Sequence, residues 1–195
     1  MASVCELWFF MMMIGSYEPG LVDLIKCYIT TYTFTDYYEL RNAVKIWCNN
    51  RLRGTRLYGH ISDWDVSKIT NMTALFRNKN TFNDDISKWD ISNVTQMSHM
   101  FWEAKLFNCN INEWNVANVI DMSWMFSHCT HFSQNLDKWK VDAVINMNGM
   151  FYDAQMFKKN NMVSLKNWNY KYASQKHMFD DASLYYIDTG GFISN

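Results

Sequence analysis

Charge of one sign is missing from this chain. Eighteen Lys and Arg stand against 19 Asp and Glu in 195 residues, a net charge of −1. That balance gives no electrostatic reason to expect nucleic acid or an anionic membrane as a partner. Cysteine is sparse and unpaired in spacing: Cys5, Cys27, Cys48, Cys109 and Cys129. An odd count of this kind argues against a disulfide framework and for a reducing compartment. Long hydrophobic runs are also missing. The bulky apolar stretch within residues 4–14 is interrupted by Glu6, too short to cross a bilayer, and without a basic leader or a small-residue cleavage site. Proline occurs once. No phosphate loop and no Ser-His-Asp or Cys-His arrangement can be justified by spacing. No catalytic residue and no cofactor is therefore expected.

What the chain has instead is a period. Trp64, Trp89, Trp114 and Trp139 stand 25 residues apart, and so do Phe82, Phe107, Phe132 and Phe157. The same interval carries Ile61, Ile86, Ile111 and Leu136, then Met72, Met97, Met122 and Met147, then the pairs Leu75-Phe76, Met100-Phe101, Met125-Phe126 and Met150-Phe151. Nine positions of each 25 are apolar, counting the site of Ala104, Cys129 and Ala154, which holds Lys79 in the first unit. Four units follow, at 57–81, 82–106, 107–131 and 132–156. A fifth, degenerate unit is led by Phe157 and carries a net insertion of three residues around 158–164. A fixed period of this size signals one supersecondary unit, repeated and stacked. No single unit can bury its own apolar side, but each can cover its neighbour.

Within a unit, Phe82, Ile86, Trp89, Ile91 and Val94 are spaced as in short extended segments joined by bends. Met97, Met100, Phe101 and Ala104 are spaced 3, 1 and 3, the stripe of a short helix. A polar residue precedes each stripe (Asn71, Gln96, Asp121, Asn146), and three of these four are helix-capping types. The spacing thus predicts an α/β repeat solenoid, with short parallel strands and one short helix per coil, spaced about 4.8 Å apart. Residues 34–56 are expected to form a helical cap and loop. Thr35 or Asp36 would start the helix, Leu40, Ala43, Val44 and Trp47 would line its buried side, and Gly54 and Gly59 would mark the loop. Residues 57–185 would be the repeat domain and 186–195 a tail. Residues 1–33, with a short amphipathic helix over 21–32, form a separate N-terminal segment.

The repeat reads Phe-Asn-x-x-Ile-x-x-Trp-x-Val-x-x-Val-x-x-Met-x-x-Met-Phe-x-x-Ala. With the lead-in from Glu39 to Trp47 and Tyr58-Gly59-His60-Ile61, it resembles the BspA-like leucine-rich-repeat surface proteins, in the branch with 25-residue units best known from mycoplasmas. Similar proteins occur in other bacteria, some protists and giant DNA viruses. The resemblance covers residues 34 to about 185. It implies an extended scaffold for protein contact, of the adhesion or host-interaction type, with no catalytic residues. The chain departs from the bacterial members in lacking a convincing export signal or lipid anchor. An intracellular location, host cytoplasm for a viral member, is therefore expected over surface display.

Functional residues should sit where units differ. One set follows each leading Phe on an outward face: Asn83, Asn108, Ser133 and Lys158, then Asp85, Asn110, Asn135 and Asn160. The other comprises Trp102, Trp124 and Tyr152. Trp102 and Tyr152 share a position that holds Arg77 and Ser127 elsewhere, so the fold does not demand an aromatic there, and Trp and Tyr are favoured interface anchors. The bland alternative is that these rings lean over neighbouring coils. His128, Cys129 and His131 lack the fourfold set that structural zinc prefers, and the Asp65/Asp90 position passes to Asn115 and Lys140, which does not suit a calcium ladder. No metal is expected. The basic residues Arg41, Lys45, Arg51, Arg53 and Arg56 near the cap could meet an acidic partner. A protein partner is expected, with an adaptor role for residues 1–33 as the alternative. The oligomeric state stays open.

Overall fold

The computed structural model describes residues 31–157 and 165–180. The expectations for residues 1–30, for the insertion at 158–164 and for 181–195, with Tyr185 and the tail, lie outside the described residues.

Two helices open the fold. Helix α1, Tyr37–Asn49, starts where the Asp36 carboxylate accepts the Glu39 amide at 2.9 Å. A cap of this kind contributes about 1 kcal/mol. The expected stripe, Leu40, Ala43, Val44 and Trp47, is the buried side. Asn50 then turns extended, which ends α1, and its side chain accepts the Arg53 amide at 3.0 Å, which starts helix α2, Arg51–Tyr58. The stretch read as a loop around Gly54 is thus helical. Gly54 is needed because a methyl there would sit 2.9 Å from the Trp47 ring. Gly59, at φ 77°, terminates α2.

The helix pair covers the first coil. Phe34, Trp47 and Tyr58 gather around Trp64 at ring distances of 5.0, 6.0 and 5.9 Å. Thr33 and Asp65 form a parallel bridge. Asp84, in the second coil, accepts the Trp47 indole N–H at 2.9 Å and pairs with Arg51 at 2.9 Å, so the cap is tied across two coils.

The repeats do not form the expected α/β solenoid. Among the described residues there is no strand and no sheet, and no repeat contains an α-helix. Pairing between units consists of isolated parallel bridges: Asn71 with Gln96, Gln96 with Asp121, Asp121 with Asn146, and Asn146 with Ser174. Beyond the cap, the described helical structure is two 3-10 turns, Ile61–Asp63 and Leu165–Asn167.

The reason lies in where the amides go. An α-helix sends every N–H four residues back. Here Met97, His99, Phe101 and Glu103 each donate to the next unit, to Asp121, Ser123, Met125 and Ser127 carbonyls at 2.9 Å. The residues between them, Met100, Trp102 and Ala104, donate three back within their own unit at 3.2, 3.1 and 2.8 Å. The segment is a run of overlapping turns. His99 and Glu103 hold φ at 58° and 57°, and the same left-handed conformation recurs at Ala74, Asn78, Trp124, His128, Gly149, Asp153 and His177. A left-handed residue at the third turn position is the mark of a type II turn, and it cannot continue a right-handed helix.

Stacking in register is carried by side chains as well. The indole N–H of Trp89, Trp114 and Trp139 donates to the carbonyl of Ile61, Ile86 and Ile111, each 28 residues earlier, at 2.9–3.2 Å. Trp168 repeats this to Leu136 across 32 residues. Four extra residues therefore precede Leu165. One is lost again before Ser174, whose bridge to Asn146 restores a net gain of three. Phe76, Phe101, Phe126, Phe151 and Phe179 form one file at 5.4–5.7 Å, and Phe82, Phe107, Phe132 and Phe157 a second at 6.0–6.1 Å. Each buried ring contributes roughly 1.5–3 kcal/mol through removal of apolar surface from water.

Candidate functional site

The polar candidates are built into the frame. The Asn83 side-chain oxygen accepts the Asn108 amide at 2.7 Å, and the Asn108 oxygen accepts the Ser133 amide at 2.9 Å and the Gln134 side chain at 3.0 Å. These oxygens substitute for backbone acceptors between coils. Asp85, Asn110 and Asn135 each accept the amide two residues on, from Ser87, Asn112 and Asp137, at 2.9, 3.1 and 3.0 Å. This Asx turn fixes a bend. The same device recurs at Asp65, Asp90 and Asn115, and at Asn71, Asp121 and Asn146. The polar residues read as helix caps thus bind turn amides. The signal for it was present: Asp or Asn fills nine of the twelve equivalent positions in the four regular units, with His60, Gln96 and Lys140 at the other three. Hydrogen bonds from the Ser67 hydroxyl and amide hold the Asp65 carboxyl below its ordinary range, and those from Ser87 do the same for Asp85. Lys158 and Asn160 lie outside the described residues.

The aromatic candidates come together on the turn side. Trp102 and Tyr152 occupy the same outward position two coils apart, with Ser127 between them. Arg77 precedes them in the file, its guanidinium 4.3 Å from the Trp102 ring centre. His128 follows Ser127 in the chain and contacts both aromatics. Its ring stands nearly perpendicular to Trp102 at 6.1 Å and to Tyr152 at 5.4 Å, and Nδ1 lies 2.8 Å from the Asp153 carboxylate. Gln155 also donates to Asp153, at 3.1 Å. Trp124 comes from the neighbouring file, 6.5 Å from His99 and 5.6 Å from Tyr152. Trp102, Trp124 and Tyr152 are all half-buried.

Three features were missed from the sequence. His128 was weighed only as a metal ligand, yet it is the ring that joins Trp102 to Tyr152. Ser127 is fully buried, and its hydroxyl has no hydrogen-bond partner. His99, held below its ordinary pKa by burial and by the Arg77 charge, belongs to the same face. Contacts between adjacent files are invisible to a period of 25, which reports only which residues share a file.

The remaining candidates diverge. The Cys129 thiol points inward and donates to the Phe101 carbonyl at 2.9 Å, and burial pushes its pKa far up. His131 contacts the Lys105 carbonyl instead, so His128, Cys129 and His131 do not converge. Cys109 is half-buried, and burial raises its pKa. Of the basic residues, Arg51 is engaged by Asp84, while Arg41, Lys45, Arg53 and Arg56 are exposed on the cap helices. Among the described residues no helix is long and apolar enough to cross a membrane.

A family model described as "Mycoplasma protein of unknown function, DUF285" matches the chain over residues 48–164 and 84–192. No curated protein and no solved structure matches it.

Proposed function

We propose that this chain, which belongs to the family so described, is a non-enzymatic repeat scaffold that binds another protein along its side, in an adhesion or host-interaction role. We place it, more finely, with the BspA-like leucine-rich-repeat surface proteins on the strength of its repeat motif. The observation that carries the functional reading is the contrast between files. Inward positions keep Trp, Phe and Met in each regular unit, whereas the outward file runs Arg77, Trp102, Ser127, Tyr152. Large rings that the frame does not require, left half-buried, are the composition of an interface anchor. Trp102→Ala and Tyr152→Ala should each weaken capture of a protein partner from the native cell, with the melting temperature nearly unchanged. A melting temperature that collapses in both variants assigns the rings to the frame and ends this reading.

The alternative is an adaptor in which residues 1–33 recruit a second protein. Its support is a second outward surface on a different element: Leu52 and Leu57 of α2 are 80% and 49% exposed, interspersed with Arg53 and Arg56. Capture that survives loss of Trp102 and Tyr152 but fails when residues 1–30 are removed from an otherwise folded protein would favour it.

A further inference from the structure

We infer that the slot between Trp102 and Tyr152 is a receiving site for a cationic side chain of the partner, arginine above all, and that His128 occupies it as an internal stand-in. The inference rests on the outward aromatic face being the binding face.

The slot exists because Ser127 interrupts a file of large side chains. Trp102, Ser127 and Tyr152 are equivalent in successive coils, so the rings flank a gap of two coil spacings, about 10 Å. Ser127 stands between them in the file, its hydroxyl fully buried and without a partner. A buried polar atom left unsatisfied costs stability, and one in a native protein calls for an explanation. The imidazole of His128, a flat ring with N–H donors, lies between the two aromatics and reaches the Asp153 carboxylate at 2.8 Å.

A guanidinium matches this environment better than the imidazole does. It is flat, always charged, stacks on aromatic faces and carries five donors. Trp102 already holds one from the preceding coil: Arg77 stands 4.3 Å from the ring centre. A second guanidinium at a similar distance from both walls fits the two-coil gap. It would satisfy the Ser127 hydroxyl and take over Asp153 as a charged partner, which His128 provides only when protonated. Lysine has the charge without the plane and the fork, so it should rank second. The His128 side chain has to swing outward, and its contacts are the competition that an incoming arginine must exceed.

The test uses the full chain and the peptide acetyl-Gly-Ser-Arg-Ser-Gly-amide, with versions carrying lysine, citrulline, norleucine or glutamate at the centre. Binding is read from the NMR shift of the Trp102 indole N–H. Arginine should saturate the shift at a concentration roughly tenfold below that of neutral citrulline. Asp153→Asn should weaken the arginine peptide by a similar factor, and His128→Ala should tighten it several-fold by emptying the slot. Should His128→Ala not fold, Ser127→Ala is close in size and must weaken binding instead. Equal shifts with arginine and norleucine, an unaffected Asp153→Asn variant, or no shift with any peptide overturns the inference. Saturation by glutamate or norleucine alone would overturn it while leaving the outward face as the interface. If Trp102→Ala also leaves partner capture intact, both fall.

Discussion

Trp124 lies over Gly149 of the next coil so closely that a methyl on Gly149 would come within 2.4 Å of the indole. Gly149 also holds φ at +60°, a conformation an L side chain adopts at a cost. The two residues share one file, and the large one stands where its neighbour has no side chain. Gly149→Ala should therefore displace the Trp124 ring and destabilise the protein by about 1–3 kcal/mol, the range for a strained non-glycine backbone. Denaturant unfolding gives the magnitude, and a change in indole emission reports the displaced ring. An unchanged midpoint would mean that the ring has room elsewhere.

The opposite substitution should help at the first left-handed position of the same file. Ala74 carries φ 55° with a Cβ. Ala74→Gly removes that strain at the expense of some unfolded-state entropy, for a net gain of roughly 0.5–1 kcal/mol. A thermal melt decides it, and a loss of stability would show that the Ala74 methyl contributes more by packing than its backbone costs.

These left-handed residues are also where the sequence misleads. Met97, Met100, Phe101 and Ala104 lie on one side in a helix, and equally in a chain of three-residue turns. Their spacing therefore identifies the buried side correctly but not the element. What separates the two is whether alternate amides leave for the next coil, and no residue pattern states that directly. Glycine would have advertised the turns, yet the left-handed positions hold His99, Glu103, Trp124 and His128. The cap helix was legible because Asp36 and the Leu40–Trp47 stripe act within one segment. α2 was not, because Gly54 serves contact with Trp47 and not a turn. At the candidate face, Trp102 and Tyr152 stood out as variable outward positions. The polar set Asn83, Asp85, Asn108, Asn110 and Asn135, expected on an outward face, also holds turns and coils through its side-chain oxygens, a role that the period does not state.

The indole ladder makes a third prediction. Trp114→Phe keeps a ring in the file but removes one of the two N–H groups that the Ile86 carbonyl accepts, leaving it the Trp89 amide at 3.1 Å. The expected cost is about 0.5–1.5 kcal/mol for the lost hydrogen bond between coils, beyond any change in packing. Trp102, whose indole makes no ladder contact, should cost much less when changed to Phe. Equal costs at the two positions would remove the ladder from the explanation of register.

Acid should loosen the turns in a defined direction. Asp65 and Asp85 have folded pKa values below the ordinary carboxylate range, chiefly through hydrogen bonds from Ser67 and Ser87. A depressed carboxylate adds stability that is fully present above its unfolded pKa, about 3.9. That stability is lost as pH falls through the lower folded value. Asp65→Asn and Asp85→Asn keep the acceptor oxygen, as Asn115 and Asn110 do at the equivalent sites. The double variant should match the parent at neutral pH in its turn geometry and lose stability less steeply below pH 4. Urea midpoints measured between pH 2 and 7 check this, and parallel acid limbs in the two proteins would contradict it.

The most direct measurement is hydrogen exchange at the tryptophan indoles, followed by NMR on the whole chain. The stacked-coil account predicts two classes. Trp89, Trp114, Trp139 and Trp168 donate to the coil before them and should exchange only through cooperative opening, with similar protection. Trp102 and Trp124, on the outward face, should exchange far faster. Exchange of the first group as rapid as that of Trp102 would mean that the coils are not locked in the register described, and the account would not stand.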